Sequence, residues 1–301
     1  MAQINRSNLP SLLRPGLKTV FGNYNVYPDL WKDVYSVYRS DKAVEYDMEM
    51  QGLGLAQLKA DGSPVAMGNM MQGYQTSYTH QFFGIGYNIT RGAVEDNLYE
   101  AEFPQQSMQL RHSLQVLKNI NCMYQFNNAF NQNSAVSDGQ PLCSTAHPIS
   151  TGQLANRFTN AVQLNEASLE DAITLIKGWQ NLAGLQINVS AVKLLVPQKQ
   201  AFNAARLLKS SFRTGTANND ISAIVHDKYM PGGYIINQFI TNPNYWFILT
   251  DEPNGFKYFQ RTNLDIDFIM DPNTDNTTVR AIERYSPGCS NWRATFGAFA
   301  A

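Results

Sequence analysis

The residues best equipped for chemistry in this chain are Cys143 and His147, in the run Pro-Leu-Cys-Ser-Thr-Ala-His-Pro. A thiol hydrolase needs a thiolate activated by a base that a third group orients. Four residues apart in a turn ending at Pro148, the pair has no guaranteed geometry, and the flanks that mark catalytic cysteines are missing. A structural turn is expected. The acidic series Asp265, Asp267, Asp271 and Asp275 has the composition of a calcium site. An EF-hand loop starting at Asp271 would need Gly at its sixth position and Glu at its twelfth, where Asn276 and Ile282 stand. An exposed strand edge and turn is expected there. His80, His112 and His226 have no second His at a metal-binding spacing. Gly52-Leu-Gly54 lacks the third glycine of a dinucleotide fingerprint, and no P-loop is present. The chain is therefore expected not to be an enzyme and to carry no cofactor or metal.

Composition points to contact rather than catalysis. Of 301 residues, 44% are apolar and only 16% charged, against roughly 25% charged in an ordinary domain. Amides take the place of charges, densely so in residues 119–133. Amide pairs cost less to desolvate than ions, which suits extensive contact with copies of the same chain. The formal net charge is −1, so the chain lacks the basic excess of a dedicated nucleic-acid binder. Arg6, Arg14 and Lys18 nevertheless precede the first acidic residue, Asp29, as a short basic arm that can meet a polyanion or an acidic neighbour. Three cysteines imply no disulfide framework, and no stretch approaches the ~20 apolar residues of a membrane span. A reducing cytoplasm is the expected setting.

The elements that must position these residues follow from periodicity. Residues 1–40 read as an extended arm, interrupted by Pro10, Pro15 and Pro28 and studded with Leu12, Leu13, Phe21, Tyr24 and Trp31. Val44, Tyr46, Met48 and Met50 alternate with Glu45, Asp47, Glu49 and Gln51, a strand with one wet face. A second alternating run covers 74–89, with a change of parity at Phe82–Phe83 that suggests a bulge or bend. Asp61-Gly62 between the runs is a turn signal, so a long hairpin with its tip near 59–64 is expected. A two-stranded ribbon of that length is not stable alone in water.

Residues 104–131 read as one helix of roughly 40 Å, with Leu110, Leu114, Leu117, Ile120 and Tyr124 inward. A compact α/β pattern follows. It has helices over 164–182 and after Pro197, strands at 192–196, 221–225, 245–250, 256–261, 265–270 and 279–285, and a polar loop at 210–220. Period two returns at Trp292, Ala294, Phe296 and Ala298.

This order of parts resembles the major capsid proteins of tailed double-stranded DNA phages, the HK97-type fold, and looks closest to Mu-like head subunits. Four motifs sharpen the likeness. They are the segment from Pro141 to Pro148, where the family often has Phe at the place of Cys143; Leu194-Leu-Val-Pro197 followed by Ala201 through Ser210; Tyr245-Trp-Phe-Ile-Leu249; and Tyr285-Ser-Pro-Gly-Cys-Ser-Asn-Trp292 with its sequel to Gly297. They cover residues 140–300, while residues 1–135 match by order and periodicity.

The resemblance implies an α+β chain divided into an N-terminal arm (1–42), an E-loop hairpin (43–90), a P-domain with a long spine helix (91–139 and 265–301) and an A-domain (140–264). It implies a shell subunit that assembles with itself into hexamers and pentamers in the host cytoplasm and resides in the virion capsid. Implied partners are a scaffolding protein, a portal, decoration proteins and packaged DNA held non-specifically, with no membrane. The chain starts with Met1 directly at the arm, so scaffolding is expected from another protein. Expected subunit-interface residues are Leu12, Leu13, Phe21, Tyr24 and Trp31 in the arm, Leu58, Lys59, Asp61, Pro64 and Met67 at the hairpin tip, and Phe212 and Arg213 in the axial loop. Arg6, Arg14 and Lys18 are expected to face DNA. Some members cross-link an E-loop lysine; Lys59, lone in a polar turn, is expected to be solvated. An encapsulin-like compartment shell and a Cys–His hydrolase are the alternatives.

Overall fold

Runs with one apolar and one polar face can bury only one side, whereas runs apolar on both faces must be covered on both, and the two kinds sort this chain into layers. A computed structural model describes residues 28–68, 71–92, 102–212, 220–272, 274 and 276–300. The strands are β1 (Ser36–Arg39), β2 (Val44–Gln51), β3 (Met71–Thr79), β4 (Gln81–Ile89), β5 (His147–Ile149), β6 (Gly152–Leu154), β7 (Ala191–Val196), β8 (Tyr234–Ile236), β9 (Tyr245–Thr250), β10 (Phe256–Met270), β11 (Thr277–Cys289) and β12 (Thr295–Phe299). The helices are α1 (Glu102–Asn127), α2 (Glu166–Lys177), α3 (Ala201–Lys209) and α4 (Ala223–His226).

Two four-stranded sheets carry the molecule, ordered β1-β10-β11-β4 and β12-β9-β7-β8. In the second sheet successive residues serve opposite cores. Leu194, Val196, Trp246 and Ile248 join α2 and α3 in one cluster, while Leu195, Phe247 and Leu249 pack with Cys122, Met123 and Phe126 of α1 in another. That is why these strands read as unbroken apolar runs. Helix α2 begins at Asn165, whose side chain accepts from the Ser168 N–H while the Ser168 hydroxyl accepts from the Asn165 N–H, a reciprocal cap. It ends at Lys177, short of the expected 182; Trp179 and Leu182 stay buried in the turn beyond.

The first sheet lies along α1. Trp31, Tyr258, Tyr285 and Phe83 form an aromatic row across it, with successive centroids 4.2, 5.2 and 4.5 Å apart. Farther along, Leu110 and Leu114 pack on Ile89, Ile266, Val279 and Ala281. The inward face of α1 differs from the expected one. Leu110 and Leu114 are buried, but Ile120 and Tyr124 are about half exposed, and Lys118, Asn119, Cys122, Met123 and Phe126 turn inward. The helix passes from one core to the next, so no single stripe serves its whole length. Lys118 is tolerated inside because its Nζ lies 2.5 Å from Glu283 Oε2 of β11.

Four other expectations are corrected. The run 74–89 is two strands that part at His80: β3 pairs with β2, but β4 pairs with β11, so the hairpin comprises residues 44–79. Both His80 ring nitrogens are engaged, by Ser286 and Ser40, which makes the break a fixed corner. Strands expected at 256–261 and 265–270 are one continuous strand, β10, which crosses the expected 264/265 domain boundary with register shifts between Gln260 and Asp265. Residues 221–225 hold one bridge, Ile221 with Phe212, and then the short helix α4, since only Ile224 among its residues is fully buried. The expected alternation at 292–298 opens as a 3-10 turn, Trp292–Ala294, before β12, with both faces covered.

Candidate assembly interface

The Cys143–His147 pair is not brought together as a catalytic couple. Cys143 is fully buried, its Sγ against Gly297 in the cluster that also holds Phe247, and burial pushes its thiol well above the ordinary range. His147 spends both ring nitrogens elsewhere: Nδ1 lies 2.6 Å from Asp138 Oδ2 and Nε2 3.1 Å from Asn156 Oδ1, and the ring stacks on Trp292 at 4.2 Å. Asn156 is the hub of this junction. Its amide donates to the carbonyls of Leu142, Trp292 and Thr295, and its oxygen also accepts from the Ser144 N–H. The motif thus fastens the segment after α1 to the C-terminal strand. In the acidic series, Asp265 and Asp267 lie within β10, opposite Ile282 and Arg280.

The residues that stand out chemically are on the hairpin. Its wet face is the apolar one. Tyr46, Met48 and Met50 are 63%, 53% and 67% exposed, while Glu45, Asp47 and Glu49 turn toward the body and are half-buried. Lys257 Nζ of β10 binds Asp47 Oδ2, and Arg293 Nη1 donates to Glu49 Oε1 at 2.8 Å. Tyr78 of β3 is held 2.5 Å from the Ser290 hydroxyl, over Gly288. Burial raises the Glu49 carboxyl above its ordinary value even beside Arg293. A cleft of about 390 Å³ lies between hairpin and body, lined by Glu49, Glu252 and Arg293 among others.

Beyond the paired strands, Leu53, Leu55, Leu58, Val65 and Met67 are exposed, Leu58 and Met67 almost completely. Lys59, Asp61 and Pro64 share that exposed loop, where Gly62 takes φ +76° in the expected Asp61-Gly62 turn. Single subunits rarely leave so much contiguous apolar surface in water. Phe212 is also exposed, as is Phe202 on α3. Trp31, expected at a subunit contact, is 3% exposed and stacks on Tyr258 within the chain's own core. Leu12, Leu13, Phe21, Tyr24, Arg213, Arg6, Arg14 and Lys18 lie outside the described residues. Sequence reasoning missed that Tyr46, Met48 and Met50 face outward. The signal would have been the pairing of Asp47 and Glu49 with Lys257 and Arg293, which are more than 200 residues away.

Comparison with known proteins agrees with this arrangement. No curated protein sequence matches the chain. Many solved structures share its fold. The procapsid of bacteriophage JBD30 aligns at 13% identity and TM-score 0.54, over 99% of this chain and 77% of that one. The capsid of an empty GTA particle aligns at 12% and 0.54, over 92% of each. The virus-like particle from Pyrococcus furiosus aligns at 11% and 0.51, over 96% and 98%. The family described as phage capsid protein matches residues 73–297, three quarters of the chain. With an α+β order of hairpin, long helix and two sheets, and with its apolar surface displayed on the hairpin, the chain belongs to the phage capsid protein family and is a structural major capsid protein of tailed phages, built on the HK97-type fold.

Proposed function

We propose that the subunit closes into an icosahedral shell of hexamers and pentamers, each hairpin laying its apolar face on a neighbouring copy. The observation that carries this reading is the outward row Tyr46, Met48 and Met50, continued by Leu53, Leu55, Leu58, Val65 and Met67. Each such side chain contributes about 1.5–3 kcal/mol when fully buried, and a closed symmetric assembly repeats the gain at every contact. On this reading residues 1–42 form the arm, 44–79 the E-loop, the sheet with β10 and β11 plus α1 the P-domain, and the sheet with β7 and β9 plus α2 and α3 the A-domain. Phe212 and Arg213 belong to the loop at the symmetry axes. The chain performs no catalysis. Assembly takes place in the host cytoplasm with scaffolding, portal and decoration partners, and DNA is met non-specifically through phosphate charge by Arg6, Arg14 and Lys18. The kinship to Mu-like head subunits is part of the same reading, supported by the residue motifs.

Electron microscopy of the purified protein with light-scattering mass, alone and with a co-expressed scaffold, tests it. Closed shells or capsomers that disappear in Met48→Asp are expected; a monomer that persists under both conditions overturns the proposal. An encapsulin-like compartment of related fold is the second and weaker reading, since the family that matches residues 73–297 is described as phage capsid protein. Protein cargo in place of DNA in shells purified from cells supports it.

A further inference from the structure

A β-ribbon has two faces, and slipping its register by one residue exchanges them. Left to hydrophobicity, β2 would press Tyr46, Met48 and Met50 onto its own body and leave Glu45, Asp47 and Glu49 in water. The opposite is observed, and the body surface beneath the hairpin explains it.

Two cations wait there. Arg293 is 1% exposed and is held independently of the hairpin: Nε donates to the Gln180 carbonyl at 2.9 Å, Nη1 reaches Asn291 Oδ1 at 3.3 Å, and the guanidinium lies 4.4 Å over Trp292. Lys257 is 8% exposed and also reaches Asn254 Oδ1 at 3.2 Å. A methionine laid over either would strand a buried charge without its carboxylate, which costs more than the methionine gains. Asp47 and Glu49 sit two residues apart on one face of β2, in register with these cations. Glycines let the ribbon lie close: a Cβ on Gly73 would fall 2.6 Å from a Leu182 methyl, and one on Gly288 would fall 2.3 Å from the Tyr78 ring.

We propose that Lys257 and Arg293 are positioning residues for assembly, which by binding Asp47 and Glu49 fix the face and register of the hairpin and turn its methionine row toward a second copy. This rests on the assembly reading for its consequence, but the orientation itself can be read in the free subunit.

The test replaces the cations in the full chain, as Lys257→Leu with Arg293→Leu, and follows peroxide oxidation of methionines by mass spectrometry. Met123 and Met230, buried in the body, report whether the fold survives. The expected result is at least a threefold slower oxidation of Met48 and Met50, with Met123 and Met230 still protected, and loss of shells. Where the double variant fails to fold, Lys257→Leu alone and the exchange Asp47→Lys with Lys257→Asp take its place. The single change should invert the ribbon and slow Met48 and Met50 oxidation, and the exchange should restore both the wild-type oxidation pattern and shell yield. Arg293→Lys, which keeps a cation, should retain most of the yield. Unchanged oxidation of Met48 and Met50 in folded variants, or an exchange that folds but restores neither readout, overturns the proposal. Wild-type protein that never assembles, yet shows the expected oxidation pattern, overturns the assembly reading and leaves the orientation standing.

Discussion

Gly297 and Cys143 offer a direct measure of how tightly the fourth motif is locked to the first. In β12, a Cβ on Gly297 would fall 2.5 Å from Cys143 Sγ and 3.1 Å from two ring atoms of Phe247. Both neighbours are 0% exposed, so neither can swing into solvent. Gly297→Ala should therefore cost about 2–3 kcal/mol, the upper part of the range for an added methyl group in a filled core. Cys143→Ala removes the sulfur and should cost about 1–2 kcal/mol on its own, through lost burial and a small cavity. Together the changes exchange one volume for the other. The double variant should be more stable than the sum of the singles predicts by about 1–2 kcal/mol, a coupling expected only of residues in contact. It should remain below wild type, because the Phe247 contact stays tight. Urea unfolding of unassembled subunits, followed by fluorescence of the buried Trp246 and Trp292, measures each corner of the cycle. Additivity within about 0.5 kcal/mol would refute the packing argument. A catalytic Cys143 would predict no such coupling to a glycine in β12.

Three further outcomes follow from buried charge and polarity. Lys118→Met leaves the Glu283 carboxylate buried without its cation and should cost about 3–5 kcal/mol, whereas Lys118→Met with Glu283→Leu should return most of that, as urea unfolding would show. Asn156→Ala strands three carbonyls, the Ser144 N–H and one His147 nitrogen, and should cost about 3–5 kcal/mol in the same assay. Glu49 and Glu252 have carboxyls raised above the ordinary 4.5, in both cases chiefly by burial, so the folded chain binds their protons more tightly than the unfolded one. Their contribution is fully present below 4.5 and is lost as pH rises through the raised values. Unfolding midpoints measured from acid toward neutral pH should show that loss, and Glu252→Gln should reduce it.

The fold was legible where local pattern and tertiary demand coincide. Val44–Gln51, Ala191–Val196 and Tyr245–Thr250 were readable as strands because side-chain alternation or doubly apolar character survives in the folded sheet. The long helix was readable in length but not in facing, since Lys118 and Asn119 turn inward only by virtue of partners on distant elements. The break at His80 left in the sequence only the change of parity at Phe82–Phe83, two residues away, which reads as a bend within one strand; the different partners, β2 and β11, are what separate β3 from β4. Residues 221–225 misled because the β-branched Ile221, Ile224 and Val225 fit a strand as well as a single helical turn.

What the sequence by itself determined was the alternation of the hairpin and the chain order that resembles a capsid subunit. Each of these is a property of spacing along the chain. Only the tertiary structure decided which face of the hairpin meets water and that Trp31 belongs to the chain's own core. It also decided that Cys143 and His147 serve packing and hydrogen bonding. Those outcomes depend on Lys257, Arg293, Tyr258 and Asn156. The free energy of a buried charge, ring or amide is set by the partners that folding brings to it, and no local pattern encodes them.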